Sequence, residues 1–286
     1  MSDSRYDSSS WNDGARGWVE NEAIFDATYA PVTEAVVGAA RFGPDMRVLD
    51  VGCGSGTLLQ AAAKAGAAVV GVDIASDMVE AARRRVPGAT VLLGDAQRLD
   101  FGAEASGAPF DVVVSRFGVM FFDDPAAAFA NIRDFTAPDA RMVFACWRGI
   151  EENPVFGGAG TGVITARLTD RPAPPAPGQP GPVAYADRDY LAGLLKEAGW
   201  SAVSIKPFDA LFDHGIDGSD GVEERLATIL ATTTGRLARQ QLAGVLSESE
   251  WNELLDAARE DIRRYIDDGS VKIPGAMWLV TATNRH

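Results

Sequence analysis

The chain has 286 residues, long enough for one large α/β domain with an appended lid and a substantial buried core. Forty acidic against 26 basic residues give a formal charge of −14, with no Lys/Arg-rich run, so a phosphate backbone is repelled and nucleic acid is not an expected partner. The only two cysteines, Cys53 and Cys146, form no Cys-x-x-Cys pair, which argues against a disulfide framework or a thiolate metal site, and no metal is expected.

Residues Met1 to Ser10 are polar and lack the apolar stretch of a signal peptide, and no later apolar run is long enough to span a bilayer, so the expectation is a cytoplasmic protein without membrane insertion. Trp18 to Ala40 reads as helical, divided in two by Pro31. Met46 to Val51 is a short apolar run that ends in a glycine cluster. Leu58, Leu59, Ala62 and Ala63 follow at helical spacing and Gly66 stops them. The unit then repeats: Ala67 to Val72 as a strand, a helix capped by Ser76 or Asp77, and Thr90 to Leu93 as a third strand. Phe110 to Ser115 is strand-like, Asp124-Pro125 opens a helix, and Arg141 to Trp147 supplies a fifth strand. Strands alternating with helices at this spacing predict a parallel sheet covered on both faces.

From Glu151 to Tyr185 the periodicity fails and prolines gather around 171–177, which reads as a surface loop. A helix from Asp187 to Gly199 and a strand at Ala202 to Phe208 restore order, and the last strand is Ala276 to Ala282. The intervening residues 210–272 are too many for a hairpin turn and read as helical. Glu223 to Leu242 forms one helix; Ser247 with Glu250 makes a capping box before another. In that second helix Trp251, Leu254, Leu255, Ala258 and Ile262 make an apolar face expected to close over a substrate. The division is then 1–41 as an N-terminal helical segment, 42–150 as the core, 151–186 as a Pro-rich cap segment, 187–209 as a return to the core, 210–272 as a helical cap and 273–286 as the final strand.

Gly52, Gly54 and Gly56 follow a strand and open a helix, where missing side chains let a nucleotide-like ligand approach the backbone. Thr57 stands where the dinucleotide fingerprint wants its third glycine, which weakens a nicotinamide reading. Asp73 ends the second strand, where a carboxylate can accept both hydroxyls of a ribose, and Asp95 ends the third, where it can meet an adenine amino group. An acid at a strand end is also an ordinary helix cap. Both in register with the glycine turn point to a cofactor.

The run Val48-Leu49-Asp50-Val51-Gly52-Cys53-Gly54-Ser55-Gly56, then Gly71-Val72-Asp73-Ile74-Ala75-Ser76-Asp77-Met78, then Gly94-Asp95-Ala96, resembles the class I S-adenosylmethionine-dependent methyltransferases. The likeness is to the branch of ubiquinone and menaquinone C-methyltransferases and natural-product methyltransferases, and it is best over residues 42–150. It implies a doubly wound, seven-stranded Rossmann-like sheet with its last strand antiparallel and a helical cap, and S-adenosylmethionine as cofactor. It further implies that Asp50, Gly52, Cys53, Gly54 and Gly56 hold the cofactor along the turn, with Gly52 to Gly54 against its methionine moiety. Asp73 binds the ribose, Ile74 and Met78 flank the adenine, Asp95 and Ala96 meet its edge, and Ser115, Arg116 and Phe117 face the methyl group. The Asn/Asp-Pro-Pro-aromatic motif common in DNA and protein amino-methyltransferases is missing there, which disfavours a nucleobase substrate.

Methyl transfer is accelerated largely by alignment and exclusion of water, so the sequence need not hold a catalytic pair. His214 is the one internal histidine and could serve as a general base or be simply solvated. Arg116, Phe117, Met120 and Phe121 follow the fourth strand at the sheet's carboxyl edge, with Trp147 at the end of the fifth. They and Trp11 are candidates for the substrate pocket, against the alternative of plain packing under the cap. The expected activity is methyl transfer to a small hydrophobic or aromatic acceptor at carbon, nitrogen or oxygen. A nicotinamide-dependent oxidoreductase and a non-catalytic methyltransferase-like binding protein are the rivals, and oligomeric state is not legible.

Overall fold

A computed structural model of the chain describes residues 8–105, 108–171 and 178–285. Three helices come first: α1 (Ser8–Glu20), α2 (Glu22–Thr28) and α3 (Ala30–Ala40). Helix thus begins well before Trp18, and the breaks fall at Asn21 and Tyr29 rather than at Pro31, which sits in the first turn of α3, where a missing N–H leaves no bond unmade. Periodicity under-reads α1 because part of its contact face is glycine and alanine among scattered aromatics: Ala15 is fully buried beside Trp11 and Trp18, and a Cβ on Gly17 would stand 2.6 Å from the Ala231 carbonyl oxygen.

The alternating core follows as β1 (Arg47–Val51), α4 (Thr57–Lys64), β2 (Ala68–Asp73), α5 (Ser76–Arg85), β3 (Thr90–Leu93), α6 (Phe101–Glu104), β4 (Phe110–Arg116), α7 (Pro125–Asp134) and β5 (Thr136–Trp147). Asp124 caps α7, its carboxylate accepting from the Ala127 amide at 3.0 Å with Pro125 in the first turn. Neither Ser76 nor Asp77 caps α5. The side chain of Asn12 in α1 does so instead, accepting from the Ser76 amide at 2.9 Å.

Beyond β5, α8 (Pro154–Gly157) and α9 (Thr161–Thr165) occupy part of the segment expected to be loop; the proline run at 172–177 lies outside the described residues. Next come α10 (Arg188–Glu197), β6 (Ser201–Asp213), α11 (Val222–Ala231), α12 (Thr233–Leu242), α13 (Glu248–Arg263), β7 (Ile266–Asp267) and β8 (Ser270–Thr283). The helix expected over 223–242 is two helices, broken at Thr232 where Gly235 comes within touching distance of the Leu230 carbonyl. The capping box of Ser247 and Glu250 is present at the start of α13.

The sheet order is β3-β2-β1-β4-β5-β8-β6, with β8 antiparallel to both neighbours and β7 paired to its start. β1 and β4 lie side by side and parallel while the chain proceeds outward from them in opposite directions, so their carboxyl ends flank the switch point where open α/β sheets bind ligands. Val48, Leu49 and Val51 are all buried, as a strand covered on both faces requires.

β6 and β8 run past the sheet, in register as far as Asp213 opposite Lys272, so residues 210–213 and 270–272 are strand and not the helix expected for them. That overhang carries a second apolar core: Val271 and Ile273 pack with Ile164, Leu226, Ile229, Leu254, Ala258 and Ile262. Leu254, Ala258 and Ile262 therefore face this cap core, with Trp251 and Leu255 half-buried against it, and the cap element that meets α1 and α2 is α11. Among the described residues no helix is long and apolar enough to cross a membrane.

Two glycines give opposite expectations. A Cβ on Gly275 would collide with the fully buried Phe212 ring, at 2.1 Å from its edge, so Gly275→Ala is expected to lower stability by about 1–3 kcal/mol through overpacking. Gly38, exposed inside α3 with nothing within 4 Å of its would-be Cβ, is expected to gain about 0.5–1 kcal/mol on conversion to Ala. Denaturant unfolding of the two variants measures both.

Candidate active site

At the end of β1 the chain turns through Gly52 (φ 65°), Gly54 (φ 53°) and Gly56 (φ 91°), left-handed conformations that a side chain disfavours. The turn is tied down by its neighbour strand: the Gly52 and Cys53 amides donate to the Val72 carbonyl at 2.9 and 3.0 Å. The Asp73 carboxylate accepts from the Gly54 amide at 2.8 Å and from the Ala75 amide at 3.0 Å. Asp73 thus fixes both the glycine turn and the entry to α5. Burial pushes its carboxyl up, against the backbone amides that favour the charged form. The Cys53 thiol is buried toward Gly71 and faces the core, so Cys53 offers a ligand only its backbone. Gly56 caps α4 and lies against Ala82 of α5.

The facing wall is the loop after β4. The buried Ser115 hydroxyl donates to the Val51 carbonyl at 2.7 Å and accepts from the Gly118 amide at 3.1 Å, so it ties the end of β1 to this loop. A Cβ on Gly118 would lie 2.5 Å from the Val51 oxygen, which is how closely the two loops approach. Between them Phe117 is held at φ 68°, a costly conformation for a bulky residue, and its ring stacks on Trp147 at 4.6 Å and 3°. Met120 is buried beneath; Phe121 is half-buried and meets Trp11 of α1 edge-on at 4.8 Å.

Toward the third strand, Met78 and Ala75 pack beneath Ala15, Trp11, Trp18 and Val19 of α1, and Ile74 is half-buried beside them in the chain. Asp95 binds the amide and side chain of Gln97, whose own carbonyl oxygen accepts from the Asp123 amide at 2.7 Å. The Ala96 carbonyl is held by Asn131 at 3.1 Å.

Asp50 lies at the bottom, in β1, buried, and among the described residues neither carboxylate oxygen has a hydrogen-bond partner. Desolvation pushes its carboxyl up to about 7, opposed by the Arg116 charge. Arg116 points to the N-terminal helices: it donates to Thr33 at 2.7 Å and lies 3.7 Å from Asp26, which itself binds Arg85 at 2.8 Å and Thr57 at 2.6 Å. His214 is buried, not solvated. Its Nδ1 lies 3.2 Å from the Phe212 carbonyl oxygen, and burial together with the Arg225 charge pushes it down to about 4, so the imidazole is neutral and weakly basic near neutrality.

The structure therefore brings Asp50, Gly52, Gly54, Asp73, Ser115 and Phe117 around one crevice, with Trp147 behind Phe117 and His214 beyond Phe212. It also brings in Thr57, read in the sequence only as the residue in place of a third glycine, and Tyr29, Asp26, Gln97, Gly118 and Arg225, which sequence reasoning did not single out. A glycine just after a strand end was a readable signal for Gly118; Tyr29, Asp26 and Arg225 sit in helical segments where nothing local distinguishes them from packing or surface residues.

Residues 48–139 match the family described as a methyltransferase domain. A demethylmenaquinone methyltransferase of Renibacterium salmoninarum is 32% identical over 181 residues, spanning 60% of this chain and 73% of that protein. A nocamycin O-methyltransferase of Saccharothrix syringae is 36% identical over 131 residues, 42% of this chain and 45% of that one. Among solved structures, the phosphoethanolamine N-methyltransferase 2 of Haemonchus contortus shares the fold, with a TM-score of 0.51 and 16% identity over 95% of this chain and 59% of that one. Its complex holds S-adenosylhomocysteine. The nicotinamide and non-catalytic readings find no favour in these likenesses. A parallel sheet with its glycine turn tied to an acid on the next strand, in a sequence sharing 32% identity across nearly three-quarters of a known methyltransferase, belongs to the class I S-adenosylmethionine-dependent methyltransferases.

Proposed function

We propose that this enzyme methylates a small, ring-bearing acceptor held between the sheet's carboxyl edge and the layer formed by α1, α2 and α11. The observation that carries this reading is the crevice itself: an acid-tied glycine turn on one side, the Phe117 loop on the other, and aromatic side chains above. The residues fit the cofactor. Asp50 offers two buried carboxylate oxygens without partners to its cationic amino-acid end, and each Asp73 oxygen retains a lone pair for a ribose hydroxyl. Ile74, Met78, Asp95 and Ala96 flank the adenine side, and Gly52, Cys53, Gly54 and Gly56 supply backbone. The bound cofactor supplies an electrophilic methyl group on a sulfonium. The chain contributes position: Ser115 fixes the distance between the two loops, Phe117, backed by the buried Trp147, presents flat apolar surface to a ring, and Trp11 with Phe121 closes the edge under α1.

In this division of labour residues 42–150 serve the cofactor, while 1–41, 151–186 and 210–272 shape the acceptor side and 187–209 with 273–286 complete the sheet. The −14 charge supports an acceptor that is not a nucleic acid, and two free buried cysteines fit a reducing compartment such as the cytoplasm. The relatives that methylate demethylmenaquinone and nocamycin support a small acceptor with rings or carbonyls.

Asp73→Ala is expected to weaken S-adenosylhomocysteine binding by about 1.5–3 kcal/mol, roughly 10- to 150-fold, because it removes a charged acceptor and frees the Gly54 amide. Calorimetry measures this, and unchanged affinity in a folded variant would remove Asp73 from the site. A second expectation concerns Asp50 without ligand. Its carboxyl titrates near 7 in the folded chain, far above an unfolded aspartate, so the folded state prefers the protonated form. Stability from this group is present at low pH and is lost as pH rises from about 4 through 7. Asp50→Asn is therefore expected to be the more stable protein at pH 8, by up to about 4 kcal/mol, with the gap closing toward pH 4. Urea unfolding of both proteins across that range checks the sign.

A further inference from the structure

Asp50 and Arg116 stand on one face of the sheet. In the parallel pairing of β1 with β4, Asp50 lies opposite Val114, so both side chains project to the same side, and Arg116 follows two residues later on that side. Strand spacing and rise put the Cα atoms of Asp50 and Arg116 about 8 Å apart, with Arg116 nearer the sheet's carboxyl edge. The Arg116 guanidinium reaches across this face to the Thr33 hydroxyl of α3 at 2.7 Å and to the Thr57 hydroxyl of α4 at 3.5 Å. Thr57 is the residue that follows Gly56, so the charge sits beside the glycine turn, with Asp50 below it.

Both groups are short of partners. Among the described residues neither oxygen of the buried Asp50 accepts a hydrogen bond. The Arg116 side chain is 15% exposed; its one short bond is to the neutral Thr33, and it lies over the Tyr29 ring at 5.9 Å. Its nearest carboxylate oxygen, on Asp26, is 3.7 Å away and already accepts from Thr57 at 2.6 Å, while the other Asp26 oxygen pairs with Arg85 at 2.8 Å. The neighbouring cations are committed: Arg85 also meets Glu22 at 3.1 Å, and Arg225 donates to the Ala159 and Val155 carbonyls and the Thr161 hydroxyl. Burial acts against both charges, pushing the Asp50 carboxyl up and the Arg116 guanidinium down. Two opposite charges held apart on one buried face are costly, and a single ligand that carries both signs relieves both.

We infer that Arg116 takes the carboxylate of the cofactor's amino-acid end while Asp50 takes its ammonium, so that one zwitterion completes both. This rests on the cofactor placement proposed above and adds the residue that recognises the acid group. A guanidinium presents N–H donors in one plane, matched to the two oxygens of a carboxylate, and an aspartate accepts from the donors of an ammonium. Arg116 thereby belongs to the cofactor half of the crevice and not to the acceptor pocket expected from its place after β4. A nucleoside without the amino-acid end leaves both charges unmet, so it binds weakly whatever its adenine and ribose contacts.

Calorimetry on the full-length protein at pH 8, above the titration of Asp50, compares S-adenosylhomocysteine with two analogues, one lacking its carboxylate and one lacking its amino group. The parent is expected to bind S-adenosylhomocysteine about tenfold or more tightly than either. Arg116→Met should erase the preference over the decarboxylated analogue and keep the preference over the deaminated one; Asp50→Asn should do the reverse. A purely structural arginine would weaken all three ligands alike. Arg85→Met, which removes the cation already paired with Asp26, should leave both preferences in place. If Arg116→Met does not fold, Arg116→Gln, which can still donate to Thr33, gives the same reading; if neither folds, the parent's preference for the carboxylate decides. No such preference in the parent, or a neutral Arg116 variant that retains it, overturns the assignment while the cofactor site stands. Failure of all three ligands to bind at millimolar concentration overturns the cofactor site together with it, so the two failures are told apart.

Discussion

One hydroxyl holds the crevice at its working width. Ser115 spans the last carbonyl of β1 and the amide of Gly118, and no residue with a longer side chain could bridge two strand ends this close without parting them. Everything that faces the crevice is referred to that bridge. The glycine turn leaves β1 just beyond Val51, and the loop that strains Phe117 into a left-handed conformation leaves β4 just beyond Ser115. The strain has a visible compensation in the flat stack of Phe117 on Trp147, which two buried strands hold in place.

Around this fixed centre acids and bases are separated: Asp50 and Asp73 lie by the glycine turn, their carboxyls pushed up by burial, while Arg116 lies toward the N-terminal helices and Arg225 in the cap. Asp26 stands between them, linked to Arg85, Thr57 and Arg116, and joins α2 to both α4 and α5.

The core was legible because its signals are local. Apolar runs ending in glycine, an Asp-Pro helix start and a Ser-x-x-Glu capping box each depend on a few adjacent residues, and β1, α7 and α13 begin where those residues say. The acceptor side was less legible because its determinants are long-range. Residues 210–213 look like the start of a helical insert in isolation and become strand only because β8 continues opposite them, with Gly275 making room for Phe212. The apolar face of α13 was read rightly as a buried stripe but assigned to the wrong neighbour, since a stripe records that something covers it and not what. Asn12 capping α5, and Tyr29 meeting Phe117 and Phe212, are contacts between distant segments that no periodicity encodes.

The overhang of β6 and β8 also constrains motion. On β8, Val271 and Ile273 belong to the cap's apolar core while Met277 and Val280 belong to the sheet's, and the strand runs through both without a break in pairing. Two paired strands that cross from one core into the other resist bending, so this cap has no hinge there and cannot swing away from the sheet as a door does. The N-terminal helix α1 is attached differently, held against α5 and α11 by helix contacts without strand pairing: the cluster of Ala15, Ala75 and Met78 with Trp11, Trp18 and Val19, Asn12 on Ser76, and the close contact of Gly17 with Ala231.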